Sequence, residues 1–170
     1  MDDLKHDKHP LRTTEVLALD PRFPDSEVIE RGAQLLRNDG LVAFPTETVY
    51  GLGASALSSS ALRSIYAAKQ RPSGDPIIAH ICRNDQLADL AVDIPALAYQ
   101  LSEAFWPGPL SLILKRAPRV PSEIAEGKNT VAIRMPSHPI AAALLRAANL
   151  PIGAPSANRF TRPSATTAAH

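Results

Sequence analysis

At 170 residues and 45% hydrophobic content the chain can bury one sizeable core, and 21% charged residues place it in the ordinary globular range, which excludes a disordered or fibrous protein. A single cysteine, Cys82, excludes an internal disulfide and a cysteine-based zinc site and favours a reducing compartment. The net charge of +1 hides an asymmetry: residues 1–100 hold ten Lys/Arg against fourteen Asp/Glu, whereas 101–170 hold eight against three, so the second half either faces a polyanion such as nucleotide phosphate or RNA, or is an uneven, solvated surface.

Residues 1–24 mix charge and proline without periodicity and read as an N-terminal arm or a first edge strand over 15–19. They lack an apolar signal core, and no apolar run approaches the roughly eighteen residues of a membrane span, so a cytoplasmic protein that enters no membrane is expected. Residues 25–170 form the domain proper. Ser26 is the expected cap of a helix whose apolar positions Val28, Ile29, Leu35 and Leu36 share one face, and Gly40 ends it. The apolar run 41–44 predicts a buried strand leading into Pro45-Thr46-Glu47-Thr48-Val49-Tyr50-Gly51-Leu52-Gly53. There Pro45 ends strand pairing, and Gly51 and Gly53 permit a sharp turn or the approach of backbone to a ligand.

A second helix is predicted over 61–68, led in by Ser58, Ser59 and Ser60, with Leu62, Ile65 and Tyr66 inward. Pro76 enters a strand over 76–81. Helices follow over 86–90 and 96–105, and Trp106-Pro107-Gly108-Pro109 forces a turn. Strands over 110–114 and 130–135, a helix over 140–149 and a short strand over 152–155 complete the order. Alternating helical and extended segments predict one α/β domain, and the short links predict a mixed sheet.

Polar residues gather where these strands end. The signatures G-x-x-x-x-G-K-[ST], G-x-S-x-G and H-E-x-x-H are absent. Lys69 and Arg71, at the end of the second helix, either complement its C-terminus or hold nucleotide phosphates, arginine as a bidentate fork and lysine as a mobile charge. His80 is a satisfied core residue or a ligand contact, and Asp75 a turn residue or a ligand contact. Period-two spacing puts Thr130, Ala132 and Arg134 on one face of their strand, where Arg134 either snorkels to solvent or meets a carboxylate. Ser156 and Asn158, in Pro155-Ser156-Ala157-Asn158, either cap the next helix or contact a ligand, with Arg159, Arg162, Ser164, Thr166 and Thr167 beyond. Four polar strand exits in one small α/β domain favour a ligand site at strand ends over four coincidences.

Taken in order, P-T-E-T-V-Y-G-L-G, K-x-R-P, P-I-I-A-H, W-P-G-P-L, A-I-R-M-P and S-A-N resemble the YrdC-type threonylcarbamoyl-adenylate synthases from about residue 35 to residue 167. The resemblance implies a twisted, open α/β fold with a mixed sheet around a large basic cavity. It also implies condensation of L-threonine, bicarbonate and ATP to threonylcarbamoyl-AMP and pyrophosphate, after which partner proteins pass the group to tRNA. Contact with tRNA or double-stranded RNA is a further candidate interaction. By matching positions, Thr46, His80 and Arg134 contact the amino acid. Lys69, Arg71, Thr130, Ser156 and Asn158 contact ATP, with Asp75, Ser164 and Thr166 as further candidates. Lys69 and Arg71 carry the catalytic role by stabilising charge on the leaving pyrophosphate, together with Mg²⁺ bound through the phosphates and no metal site of the protein's own. Glu47 and Tyr50 receive no assignment.

The sequence departs from the resemblance in two places. Arg159-Phe160-Thr161-Arg162 follows S-A-N without a glycine, and relatives continue beyond the position of His170, so the domain is expected to be incomplete at its C-terminus. The rival reading is a non-catalytic RNA-binding module using the same basic cavity, against which stand 5% aromatic content and the lack of an RNP-like pattern. A carbamoyl-transfer accessory domain with another acceptor is the third.

Overall fold

The computed structural model describes residues 14–70 and 75–169. Helix α1 (Ser26–Arg37) is capped by Asp25, one residue before the expected Ser26. Asp25 Oδ1 accepts from the backbone N–H groups of Glu27 at 2.8 Å and Val28 at 3.2 Å. Ile29, Ala33 and Leu36 form the buried stripe of α1, and Leu35, rotated off it by one residue, is half exposed. Residues 15–19 form no strand. Side chains hold them instead, through an Arg31–Glu15 ion pair and the packing of Leu19 against the α1/α5 cluster.

Strands β1 (Val42–Pro45) and β2 (Tyr50–Ser55) make an antiparallel hairpin in which Phe44 faces Gly51. The second strand departs from the expected glycine turn, and the reason is steric. A Cβ at Gly53 would lie 2.7 Å from the Phe44 ring and 2.9 Å from Ile152 Cγ2, and one at Gly51 would lie 3.3 Å from Ala154 Cβ. These glycines make room for the buried Phe44 ring and a neighbouring strand, not for a left-handed turn.

Helix α2 (Ser59–Lys69) is capped by Ser58, starts two residues before the expected boundary and ends at Gln70 in the left-handed region. Strand β3 (Ala79–His80) is the paired remnant of the expected 76–81 strand. On either side of it the Ile77 and Ile81 N–H groups bond to Ile124 O at 2.8 Å and Arg134 O at 2.9 Å. A 3-10 turn at Asn84–Gln86 precedes α3 (Leu87–Leu90) and α4 (Ala96–Phe105). Strands β4 (Ser111–Lys115) and β5 (Thr130–Arg134), helix α5 (Pro139–Ala148) and strand β6 (Ile152–Gly153) follow, each within two residues of the expected bounds.

The sheet order is β1-β2-β6-β3-β5-β4, with β3 and β5 parallel and the remaining pairs antiparallel. Helices cover both faces. One core cluster includes Leu62, Ile65, Leu87, Leu90, Leu114 and Ile133, from α2, α3, β4 and β5. The other packs α1 and α5, through Ile29, Leu36, Leu144 and Leu145, against Phe44 and Ile152. Each such side chain contributes about 1.5–3 kcal/mol of burial free energy, which is why the alternating pattern selects this layered arrangement. Among the described residues no helix is long and apolar enough to cross a membrane.

Candidate functional site

The β1–β2 link crosses one end of the sheet and reaches β5. Thr46 builds it: its Oγ1 donates to Val49 O at 2.6 Å and accepts from the backbone N–H groups of Thr48 and Val49, each at 3.2 Å. Thr48 Oγ1 lies 3.0 Å from Thr46 Oγ1 and, since the Thr46 proton is committed to Val49 O, acts as the donor. A hydroxyl thus supplies the closure that a turn glycine would otherwise supply, and it presents Glu47 and Thr48 to Arg134.

Arg134 ends β5 and is only 7% exposed, so it does not snorkel. Three edges of its guanidinium are engaged. Nη2 lies 2.7 Å from Glu47 Oε1; Nη1 and Nη2 each donate to Thr48 Oγ1 at 3.3 Å; Nε donates to Gly108 O at 3.3 Å. Gly108 belongs to the turn after the cis Trp106–Pro107 bond, and its own N–H reaches back to Met135 O at 2.8 Å. A buried charge persists only with such partners. At Glu47, burial alone would raise the carboxyl pKa. The hydrogen bond and charge of Arg134, with backbone hydrogen bonds from Glu47 and Ser137, outweigh burial and hold it below its ordinary value.

His80 sits beside Arg134 in the parallel β3–β5 register. It is 3% exposed, its Nδ1 lies 3.2 Å from Ile78 O, and its ring meets Phe44 edge-on at a centroid distance of 6.3 Å. Burial, and then the Arg134 charge, push its pKa down to about 4, so the imidazole is neutral at pH 7. It is a packed and hydrogen-bonded core residue at the rim of the arginine cluster.

A second group lies at the end of α2. Lys69 is buried and its Nζ donates to the backbone carbonyls of Ser156 and Asn158, while Phe160 N–H returns to Lys69 O at 3.1 Å. In this arrangement Lys69 ties down the 155–160 segment. Asn158 Nδ2 donates to Arg159 O at 2.8 Å and Arg162 O at 2.7 Å, which closes a loop that lacks glycine. Its Oδ1 is buried with no hydrogen-bond partner among the described residues. Ser156 pairs with Gly51 across an isolated bridge, and Ala157 N–H bonds Tyr50 O at 2.8 Å, so this segment runs along β2 and links the two groups.

The other expected site residues are placed less closely. Arg71 lies outside the described residues. Asp75 is exposed and its carbonyl accepts from the Tyr66 hydroxyl at 3.2 Å. Thr130, also exposed, opens β5 opposite Lys115, at the far end of that strand from Arg134. Ser164 and Thr166 are exposed on either side of buried Ala165, whose carbonyl accepts from Tyr50 N–H at 2.8 Å. Sequence reasoning left Glu47 unassigned and assigned nothing to Thr48 or the Gly108 carbonyl. A usable signal for the first was its charge: one carboxylate in the hairpin link, one arginine inside a strand. Surface depressions of about 770 Å³ beside α1 and about 260 Å³ between α2 and the 122–127 turn lie away from both groups. Among the described residues no three His, Cys, Asp or Glu side chains converge to hold a metal ion.

Residues 34–170 match the Sua5_yciO_yrdC family model, whose description is "Telomere recombination". The chain is 50% identical over 159 residues to the threonylcarbamoyl-AMP synthase of Bacillus subtilis (strain 168), covering 93% of this chain and 44% of that protein. It is 50% identical over 142 residues to the threonylcarbamoyl-AMP synthase of Pyrococcus abyssi (strain GE5 / Orsay), covering 84% and 42%. Its fold superimposes on that of P. abyssi Sua5 complexed with L-threonine at a TM-score of 0.85 and 48% identity, covering 86% of this chain and 43% of that one. The chain therefore spans less than half the length of these relatives. With the family model matching most of its residues and the same sheet present in a solved member, the chain belongs to the Sua5/YciO/YrdC family.

Proposed function

We propose that this domain supports threonylcarbamoyl-adenylate synthesis: L-threonine, bicarbonate and ATP give threonylcarbamoyl-AMP, pyrophosphate and water. The observation that carries the reading is the meeting of the Thr46-closed turn, His80 and Arg134, far apart in sequence, at the C-terminal ends of the parallel strands β3 and β5, where α/β sheets bind ligands; Thr46 reaches Arg134 through the Thr48 hydroxyl. In this reading Arg134 recognises the threonine carboxylate, with Thr46 and His80 shaping the amino-acid pocket. Lys69, Arg71, Ser156 and Asn158 face ATP, with Asp75, Thr130, Ser164 and Thr166 around it, in a basic cavity. The unpartnered Asn158 Oδ1 gives that side an acceptor for a donor such as an adenine amine or a ribose hydroxyl.

The threonine amine attacks bicarbonate or carbon dioxide, and the resulting carbamate oxygen attacks the α-phosphorus of ATP while pyrophosphate leaves. Negative charge grows on the departing phosphates, and Lys69 and Arg71 are the cations that meet it in this reading. Among the described residues no three His, Cys, Asp or Glu side chains converge on a metal position, so the fit is to a Mg²⁺ ion carried on the phosphate oxygens, where it would add charge neutralisation. Holding both substrates in line and out of water supplies much of the remaining acceleration. Transfer of the product to tRNA by partner proteins, in the cytoplasm, belongs to the same reading.

Pyrophosphate release from ATP is expected only when threonine and bicarbonate are both present, and Arg71→Ala should reduce ATP use more than it reduces folding. Release indifferent to threonine overturns the reading. Salt-sensitive RNA binding without threonine-dependent release would restore the RNA-module alternative.

A further inference from the structure

The guanidinium of Arg134 is closed to any incoming carboxylate as it stands. The fork between Nη1 and Nη2 is filled by one oxygen equidistant from both, Thr48 Oγ1 at 3.3 Å; Nη2 carries Glu47 at 2.7 Å; and Nε is covered by Gly108 O at 3.3 Å. A bidentate carboxylate needs two parallel N–H groups on one edge. Of the three occupants, the Gly108 carbonyl is anchored through its neighbouring N–H to Met135 O, and it lies on the strand side of the guanidinium. Glu47 and Thr48 both sit on the Thr46–Val49 turn. The Glu47 side chain is 20% exposed against 9% for Arg134, so a ligand arriving from solvent reaches Glu47 first.

We propose that Glu47 is an internal carboxylate that holds the anion seat on Arg134 and is exchanged for the carboxylate of the amino-acid substrate. This rests on the reading of Arg134 as the carboxylate-recognising residue. The exchange has a clear chemical logic. A buried arginine left unpaired would be costly or would rearrange, so the empty site needs a resident anion. That anion must be of the same chemistry as the ligand, and it must sit on an element that can give way. It also lowers affinity by competition, so binding strength is set partly by the turn and not only by the pocket. Ligands of the same size without a carboxylate do not displace Glu47 and gain nothing from its removal.

Isothermal titration of the 170-residue chain with L-threonine and with L-threoninamide tests this. Glu47→Gln keeps the shape and two hydrogen-bonding ends but removes the competing charge. It is expected to bind L-threonine about three- to tenfold more tightly than the native chain, with threoninamide binding unchanged. Glu47→Ala, which vacates the seat, should do the same or more, and thermal melts identify which variants remain folded. Folded variants that bind L-threonine no more tightly than the native chain overturn the exchange and leave Glu47 as a residue that merely orients Arg134. Arg134→Gln separates this from the underlying reading. If threonine binding survives that substitution, or if the native chain shows none, the assignment of Arg134 itself fails. If Arg134→Gln abolishes binding while the Glu47 variants do not improve it, only the exchange fails.

Discussion

Substituting Gly53→Ala asks whether the glycines of the hairpin serve packing or a ligand. The added methyl would stand 2.7 Å from Phe44 Cε1 and 2.9 Å from Ile152 Cγ2, both inside van der Waals contact, and neither neighbour is the loose end of a flexible chain. Phe44 is 2% exposed and Ile152 fully buried, so relief requires moving a ring or a strand. Overpacking of this kind costs about 1–3 kcal/mol, and two simultaneous clashes with rigid groups place it at about 2–3. For a domain of this length that corresponds to a Tm lowered by roughly 4–12 °C. Thermal unfolding followed by circular dichroism gives Tm, and urea unfolding followed by fluorescence of the single, buried Trp106 gives the free energy. Trimming the ring should release the strain, so Phe44→Leu combined with Gly53→Ala is expected to be less destabilised than the sum of the two single changes by more than about 1 kcal/mol. A Gly53→Ala protein with unchanged Tm and lost threonine binding would refute the packing argument and return the glycine to the ligand.

Two further outcomes concern the buried polar groups. His80 has a folded pKa of about 4, below its ordinary 6.5, so the unfolded chain binds more protons between those values. Its contribution is therefore complete above pH 6.5 and lost as the pH falls towards 4, by up to about 3 kcal/mol. Urea unfolding across that window should show the slope in the native chain and a flatter one in His80→Asn; an unchanged slope would mean that His80 titrates normally. Lys69→Met leaves the Ser156 and Asn158 carbonyls short of a buried donor, for an expected loss of roughly 2–3 kcal/mol. Limited proteolysis should then cut first within 156–162, and first cleavage elsewhere would argue against the tie.

The elements that periodicity could address were legible from the sequence. The stripe of α2, the apolar strands and the alternation of β5 carry their own burial signal, and the layered α/β arrangement follows from it. The boundaries of β3 were not legible, because its flanking residues bond singly to loops and neighbouring backbone rather than in a regular ladder. Strand β2 was hidden by its glycines, whose purpose is set by a phenylalanine across the hairpin and is invisible to local propensity. At the candidate site, the sequence singles out Arg134 and Lys69 but does not reveal the partners the fold gives them. Arg134 was expected to find solvent or an external carboxylate, and it finds Glu47 from a hairpin on the far side of β6 and β3. In sequence Lys69 reads as a helix-end charge or a phosphate ligand; in the fold it clasps two carbonyls that local sequence does not announce. Such contacts arise only when distant segments meet.

The sheet is not evenly built. Its flanks are two antiparallel ribbons, β1–β2 and β4–β5, while the middle strands β6 and β3 are only two residues each. The Glu47–Arg134 contact crosses these short strands at one end, joining the ribbon on one side to the ribbon on the other. A ligand held between the hairpin and β5 would be a tie across β6 and β3, so binding there is expected to register as slowed backbone exchange in those two strands, in the middle of the protein.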